Sequence, residues 1–186
     1  MKKISFMAVI ATMVPVVSFA EINPTNIKLF TEIGANVAGF SKVKLKADGF
    51  GSETEKTTAL ASGGFLGLGV DINGIQLSIS PVYVSTDTTD ETMLDMKLDI
   101  PVIQGKFQPY ITLVGGMHWL EIEDDSLGMA FDLGIGAGVK YTFTDNLFGK
   151  LGVLYSYAEF DKEIDDTDIT LDSSSIRLMA SFGYMF

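Results

Sequence analysis

The sequence has no cysteine, a single histidine, a single tryptophan and few basic residues. Without cysteine, neither disulfide bonds nor thiolate metal sites can stabilise the chain. Its 13 lysines and arginines are outnumbered by 24 aspartates and glutamates, which gives a formal net charge of −11. Because nucleic-acid binding needs a basic face, this balance argues against a nucleic-acid partner. Stability must therefore come from a packed core or from a closed hydrogen-bonded sheet.

The chain also lacks, after its first 20 residues, any apolar run of about 18 residues, the length that a transmembrane helix needs. The first 20 residues have the pattern of a signal peptide: two lysines, an apolar stretch over 4–17, and the small-x-small site Ser18-Phe19-Ala20. We predict a signal peptide over 1–20, cleaved after Ala20, and one mature domain over 21–186. An uncleaved membrane anchor is the alternative, disfavoured because the apolar run is short and contains Pro15.

What the mature chain does have is alternation of apolar and polar residues. It is clearest over 175–186, where one face contains only apolar and aromatic residues and the other contains Arg177. Since a strand sends successive side chains to opposite faces, this stretch is predicted to be a strand with one lipid-like face. The last strand of a soluble sandwich is the alternative. The residues of the lipid-like face are Ile176, Leu178, Ala180, Phe182, Tyr184 and Phe186.

The same alternation predicts eight strands, at about 27–40, 58–70, 75–84, 92–102, 108–120, 127–141, 147–158 and 175–186. The second, fourth and sixth connections are short, and Asn73-Gly74 in the first of these is a strong hairpin signal. The other connections are longer or more acidic. We therefore predict an all-β fold, an eight-stranded antiparallel up-and-down transmembrane β-barrel. Pro81 interrupts the third strand, and we expect a bulge there. Outward aromatic residues near both strand ends predict two interfacial girdles.

Two features resemble known outer-membrane proteins. The terminal pattern of Phe182, Tyr184 and Phe186 resembles the carboxy-terminal signature of bacterial outer-membrane barrels. By strand number, turn pattern and the glycine-rich stretches 108–116 and 134–141, the mature chain resembles the eight-stranded family that includes OmpX and the membrane domain of OmpA.

That resemblance implies a location in the outer membrane of a Gram-negative bacterium and contact with its lipid and lipopolysaccharide. It implies that Phe182, Tyr184 and Phe186 form a signal read by the barrel-assembly machinery. It also implies a non-enzymatic role in envelope integrity, adhesion or host interaction, with an unknown surface ligand. We expect a monomer without a cofactor.

The inward face of the predicted strands contains a set of charged and polar residues. An eight-stranded barrel is barely wide enough to hold its own side chains, so such charges must pair or hold water. We predict a network that closes the lumen, with Arg177 paired to Glu32 because the first and last strands must meet. A narrow ion pathway is the alternative. The predicted lumen residues are Glu32, Gln76, Asp95, Lys97, Asp99, Asp132, Lys140, Lys150 and Arg177.

His118 is the one candidate for catalysis, because lipid-modifying barrels have catalytic groups near the outer strand ends. Ser126 and Asp124 are close to it in sequence. The deacylase type, however, has a serine two residues after its histidine, where this chain has Leu120. We predict no catalytic residue, with a lipid A-modifying enzyme as the alternative.

Two further motifs are assigned to surface and packing roles. The acidic stretch 159–172 contains carboxylates at alternate positions, but it lacks the glycine and final glutamate of a calcium loop. We predict a solvated surface loop and no metal site; a calcium or magnesium bridge to lipopolysaccharide phosphates is a weaker hypothesis. Gly134, Gly136 and Gly138 lack the spacing of a dinucleotide loop and are interpreted as small inward residues.

Overall fold

The computed structural model describes residues 27–47, 59–60, 62–85, 89–122, 125–164 and 167–186. Its strands are β1 (Ile27–Ala47), β2 (Ala59–Leu60), β3 (Ser62–Ile72), β4 (Ile75–Ser85), β5 (Thr89–Pro101), β6 (Phe107–Ile122), β7 (Asp125–Thr142), β8 (Leu147–Ile164) and β9 (Thr167–Met185). The predicted signal peptide lies outside these ranges.

The strands form one closed antiparallel barrel. Each pairs with its neighbour in sequence from β3 to β9, and β1 pairs with both β3 and β9. The two residues of β2 pair with β1 just beyond β3, so β2 and β3 occupy one position in the barrel. The barrel therefore has eight strands, and this confirms the predicted fold class.

Three tight connections mark one end of the barrel, which we call the turn end. In the first, Asn73 and Gly74 adopt positive φ angles of 55° and 89°. Both central residues of a type I′ hairpin turn need such angles, and Asn-Gly supplies them with little strain. Residues 102–106 and 143–146 form the other two. The opposite end is called the loop end.

The outer surface of the barrel is apolar. Along β4, outward Leu77, Ile79 and Tyr83 are exposed while inward Gln76, Ser78 and Ser80 are buried. The other strands show the same alternation, with exposed fractions as high as 67% for outward Leu68. A soluble protein has the reverse arrangement, so this exterior suits a barrel surrounded by lipid.

No helix in the part of the chain that the structure describes is long and apolar enough to cross a membrane.

Aromatic side chains form a band on the outside of the turn end. Tyr141 packs edge-on against Phe143 at 5.0 Å between ring centroids, and Phe143 stacks on Phe182 at 6.1 Å. Tyr184 packs edge-on against Phe186 at 5.2 Å. All five rings are exposed, which agrees with the girdle predicted at this end.

The strands are longer at the loop end than predicted. β1 continues to Ala47, and β8 and β9 leave only residues 165–166 between them. The predicted loop over 41–57 is therefore wrong at 41–47, and its remainder lies outside the described residues; the predicted loop over 159–174 is wrong at all of its described positions. Frequent charges in these stretches suggest loops, whereas the backbone pairing of β1 with β9 and of β8 with β9 continues through them.

The bulge expected at Pro81 is also wrong. β3 and β4 keep one register on both sides of Pro81, although the pairs at Leu66 and Gly67 are missing from the ladder. Proline thus removes local hydrogen bonding without inserting an extra residue. Register shifts in the described strands occur instead between Asn36 and Ala38, and between Leu120 and Glu121.

Space inside the barrel predicts a contrast between two glycine substitutions. A Cβ at Gly138 would lie 2.5 Å from the Tyr110 hydroxyl oxygen and closer still to the Leu151 carbonyl oxygen. At Gly115 the nearest atom is Leu133 Cδ2 at 3.6 Å, an ordinary contact. We expect Gly138→Val to destabilise the barrel by about 1–3 kcal/mol and Gly115→Val to cost less. Urea unfolding in detergent micelles measures both, and equal effects would contradict the inward placement of Gly138.

Candidate functional site: the charged barrel interior

All nine predicted lumen residues are buried, with at most 8% of each residue exposed. They are Glu32, Gln76, Asp95, Lys97, Asp99, Asp132, Lys140, Lys150 and Arg177. Strand alternation directs them inward, because each lies in phase with buried neighbours and out of phase with the lipid-facing residues. The structure arranges the charged residues in three layers between the turn end and the loop end.

The layer nearest the turn end is built on Asp71. Its carboxylate accepts hydrogen bonds from the Gly74 amide at 2.7 Å and from Gln76 Nε2 at 2.9 Å. Lys140 Nζ lies 3.5 Å from Asp71 Oδ2. Asp71 therefore connects the hairpin turn to the lumen. The prediction omitted it because Asp71 was assigned to the turn, although it lies in the inward phase of β3.

The middle layer is a clamp on Lys150, formed with Glu32 and Asp99. Lys150 Nζ donates to Asp99 Oδ2 at 2.6 Å and to Glu32 Oε2 at 2.9 Å. The other oxygen of each carboxylate accepts a hydrogen bond from a hydroxyl group. Ser181 Oγ donates to Glu32 Oε1 and Thr112 Oγ1 donates to Asp99 Oδ1, each at 2.5 Å. We call this group the lysine clamp. Each carboxylate oxygen in it has a partner, as a buried ion pair requires.

Aromatic rings surround the lysine clamp. The centroids of Phe30 and Phe148 each lie 5.5 Å from Lys150 Nζ, and that of Tyr110 lies 5.8 Å away. Phe30 and Phe148 also pack edge-on against each other at 5.8 Å between centroids. Ring faces attract a desolvated ammonium, so these contacts add to the two carboxylates in holding Lys150.

Lys97 lies between the clamp and the loop end. Its Nζ is 4.0 Å from the centroid of the Phe65 ring. With Glu32, Asp99, Lys150 and other residues it lines a cavity of about 20 Å³, which is room for about one water molecule. A second cavity, near the turn end between Gln76 and Lys140, measures about 10 Å³. Neither cavity is a continuous passage.

The third layer surrounds Arg177. Its Nη2 lies 3.8 Å from Asp95 Oδ2 and 3.9 Å from Asp132 Oδ2. The guanidinium donates to Ser156 Oγ at 3.4 Å and contacts Met93 Sδ at 3.3 Å. These carboxylates are thus near Arg177 without direct hydrogen bonds to it.

The predicted pair of Arg177 with Glu32 is wrong. On the β1–β9 ladder, Glu32 lies opposite Gly183, whereas Arg177 lies opposite Gly39. Six residues of β9 separate the two positions, about 20 Å of strand. Lys150 from β8 reaches Glu32 across β9 instead. Adjacent strands in a barrel need not bring their inward charges to the same height.

His118 is buried in the lumen at the loop end. Its Nε2 lies 3.4 Å from Glu91 Oε2, and its ring packs edge-on against Phe160 at 5.3 Å between centroids. Glu91 was predicted in a loop, although it lies in the inward phase of β5. The side chains of Asp124 and Ser126, the suggested catalytic partners, lie outside the described residues, as do those at 161–171. In the described part of the chain, no group of three or more acidic or histidine side chains could hold a metal ion.

Solved outer-membrane barrels share this architecture. Neisserial surface protein A (NspA) is 17% identical with a TM-score of 0.57, over 87% of this chain and 99% of that chain. The chain has the fold of the eight-stranded outer-membrane β-barrels.

Two solved structures from Pseudomonas aeruginosa are also similar. OprG is 16% identical with a TM-score of 0.46, over 86% of this chain and 95% of that chain. The N-terminal barrel domain of OprF is 18% identical with a TM-score of 0.43, over 84% of this chain and 97% of that chain. Neither a protein-family model nor a curated relative matches the sequence.

The geometry of the lysine clamp predicts a large effect of removing its cation. Lys150→Met leaves Glu32 and Asp99 buried without their counter-charge, so we expect a loss of about 3–5 kcal/mol in the free energy of unfolding. The control Lys28→Met removes an exposed ammonium at the turn end and should cost less than about 1 kcal/mol. Urea unfolding followed by the fluorescence of Trp119, the single tryptophan, measures both.

A triple variant tests the cause of that loss. Replacing all three clamp charges, as Lys150→Met with Glu32→Gln and Asp99→Asn, should recover part of the stability, since no uncompensated charge remains. A triple variant less stable than Lys150→Met would contradict the ion-pair explanation.

Proposed function

We propose that the protein is an integral barrel of a bacterial outer membrane and serves as a non-enzymatic surface protein. The observation that supports this most is the combination of a closed barrel, an apolar exterior and an interior closed by the lysine clamp. Such a structure can reside in lipid, because every strand edge is paired. Among the residues that the structure describes, it offers no wide passage and no assembled catalytic group between its two ends.

The loop end is the part available for a surface role. Strands β1, β8 and β9 extend there beyond the predicted lipid-facing segments. With its periplasmic turns short, a barrel of this plan presents its longer connections to the outside. We propose that these connections contribute to envelope integrity, adhesion or host interaction, and that lipopolysaccharide and outer-membrane lipid surround the barrel, which acts as a monomer.

An enzyme is the less favoured candidate. His118 is 4% exposed, and its ring contacts the Glu91 carboxylate and packs against the Phe160 ring. A catalytic histidine needs to reach a nucleophile and a substrate. The buried hydroxyl groups of Ser156 and Ser175 bond each other, and that of Ser156 accepts from Arg177. A change in lipid A acylation in cells with His118→Ala would overturn the non-enzymatic assignment.

Location and closure of the lumen are tested together. After cell fractionation we expect the protein in the outer membrane, with a gel mobility that changes on boiling because the compact barrel unfolds. In planar bilayers we expect no steady open channel, since each charged layer fills the narrow interior. Recovery as a soluble periplasmic protein would overturn the proposed location, and a stable conductance would favour the narrow ion channel instead.

The last residues are proposed to form an assembly signal. Phe182, Tyr184 and Phe186 point outward and are 61%, 47% and 67% exposed. The Phe186 amide donates to the Leu29 carbonyl at 2.8 Å, so its backbone is held to β1 while its ring stays exposed beside Tyr184. This arrangement leaves the aromatic face available to the barrel-assembly machinery.

Phe186→Ala separates recognition from stability. We expect much less folded protein in the outer membrane of cells, whereas refolding of the purified variant in detergent micelles should be nearly unchanged, because an exposed ring contributes little packing. Ile176→Ala, an outward residue farther from the terminus, is the control for lost lipid-facing area. Equal cellular yields of wild type and Phe186→Ala would contradict the signal.

A further inference from the structure

A groove of about 850 Å³ lies on the outside of the barrel, where β8, β9, β1, β3 and β4 run side by side. Sites for small molecules measure about 300–1,000 Å³ and are mostly apolar. The outer groove, as we call it, has that size and a mostly apolar lining. It belongs to the lipid-facing exterior and is separate from the charged lumen.

Two rows of outward side chains form the walls of the outer groove. Within a row, residues of neighbouring strands lie opposite each other, and the two rows are two positions apart along each strand. The second wall consists of Phe182, Ile33, Leu66 and Pro81. The first wall, nearer the turn end, consists of Leu147, Tyr184, Thr31, Leu68 and Ile79.

The floor of the outer groove is backbone. Between the two walls lies a row of inward residues, where Glu32 is opposite both Gly183 and Gly67. The Glu32 carboxylate is in the lumen, bonded to Ser181 and Lys150, and the two glycines have no side chain. An occupant of the groove would therefore lie against the strands themselves, between the walls.

Thr31 is the lowest point of the first wall. It lies opposite Tyr184 on one side and Leu68 on the other. Those two side chains are 47% and 67% exposed, whereas the smaller Thr31 is half-buried between them. A large side chain at Thr31 would therefore fill the groove without changing the lumen.

The aromatic parts of the walls are supported by neighbouring rings. Phe143 stacks on Phe182 at 6.1 Å between centroids, and it lies over Gly149, where a Cβ would be 3.1 Å from its ring. Tyr184 packs edge-on against Phe186 at 5.2 Å. Both rings thus have a partner on the protein, and a preformed wall loses little conformational freedom when a ligand binds.

The outer groove runs obliquely from the turn end toward the middle of the barrel wall. Leu147 begins β8 next to a turn, whereas Pro81 lies in the interior of β4. Crossing from β8 to β4 takes four strand spacings, about 19 Å. One leaflet contributes about 15 Å to the hydrocarbon core, half of its thickness of about 30 Å. An inclined path of this length suits a hydrocarbon chain that spans one leaflet.

We propose that the outer groove binds one acyl chain of a phospholipid from the leaflet at the turn end. Its lining is continuous with the lipid-facing exterior, and among the described residues that line it the one charged side chain, Glu32, is turned into the lumen. A hydrocarbon chain fits such a lining better than a polar ligand does. This inference deepens the proposed function and rests on it in one respect: the periplasmic leaflet, where the turn end is placed, consists of phospholipid.

Lipid counting on matched variants tests the site. The purified full chain, folded in detergent micelles and checked by gel mobility, is titrated with palmitoyl-oleoyl phosphatidylethanolamine, and bound lipids are counted by native mass spectrometry. We expect the first lipid to bind at least about tenfold more tightly than the second, a preference that burial of about two methylene groups supplies. Thr31→Phe should abolish this preference. Ala137→Phe, at an exposed outward position of β7 outside the groove, should keep it.

Several results would overturn the proposal. They are equal binding of the first and second lipid to the wild type, an unchanged preference in Thr31→Phe, and displacement of the phospholipid by lipid A at a lower concentration. A wild-type dimer that Thr31→Phe converts to a monomer would assign the face to contact between copies instead. Because the protein is purified, these outcomes are independent of its cellular location, which fractionation tests separately.

The path of the chain is tested on the unmodified protein, so the result does not require any variant to fold. A phosphatidylethanolamine with a photoreactive diazirine at the end of its acyl chain should label peptides that contain Leu66 or Pro81. A diazirine next to the ester should label the peptide that contains Leu147. The reverse order, or even labelling around the barrel, would contradict the proposed site.

Discussion

Hydrogen bonding between β1 and β9 is the constraint on which the rest of the structure depends. The ladder runs from Phe30 opposite Met185 to Ala47 opposite Ile169 and closes the sheet on itself. Without that closure, two strand edges would expose unpaired backbone groups, each costing several kcal/mol in hydrocarbon. Once the sheet is closed, every strand has one face toward lipid and one toward a narrow interior. The apolar exterior and the polar lumen are then two consequences of one alternation.

The narrow interior explains how the charges are accommodated. Eight strands leave room for side chains and little else, so a long basic side chain needs a small residue nearby. β7 supplies Gly134, Gly136 and Gly138 on its inward face, and β8 supplies Gly152; Tyr110 lies against two of these glycines. Tyr110 in turn lies beside Lys150. Glycines that lack the spacing of a nucleotide loop therefore serve the packing of the lysine clamp.

Much of this architecture could be predicted from the sequence because alternation is a local property. The eight strands, the Asn73-Gly74 turn and the inward direction of Arg177 all follow from residues close together in the chain. The partner of Arg177 does not, since it depends on the stagger between strands that are distant in sequence. Glu32 and Lys150 are 118 residues apart, and β9 lies between their strands. Likewise the loop-end extensions of β1, β8 and β9 depend on continued backbone pairing, which frequent charges in the sequence conceal.

The polar interior also helps to define the register of the barrel. A strand that is apolar on both faces could slip by one residue with little penalty, because the side-chain period is two. Here such a slip of β9 would turn Arg177 toward lipid, at about 2–4 kcal/mol for a basic residue at the midplane, and would turn Phe182 inward. The same slip would remove Ser181 from Glu32. Replacing a buried ion pair by apolar residues is often neutral or stabilising, so stability alone does not explain the charged lumen. In a closed sheet with a lipid-facing exterior, the buried charges penalise a slipped strand register. This penalty accounts for a charged lumen in a barrel that need not conduct ions.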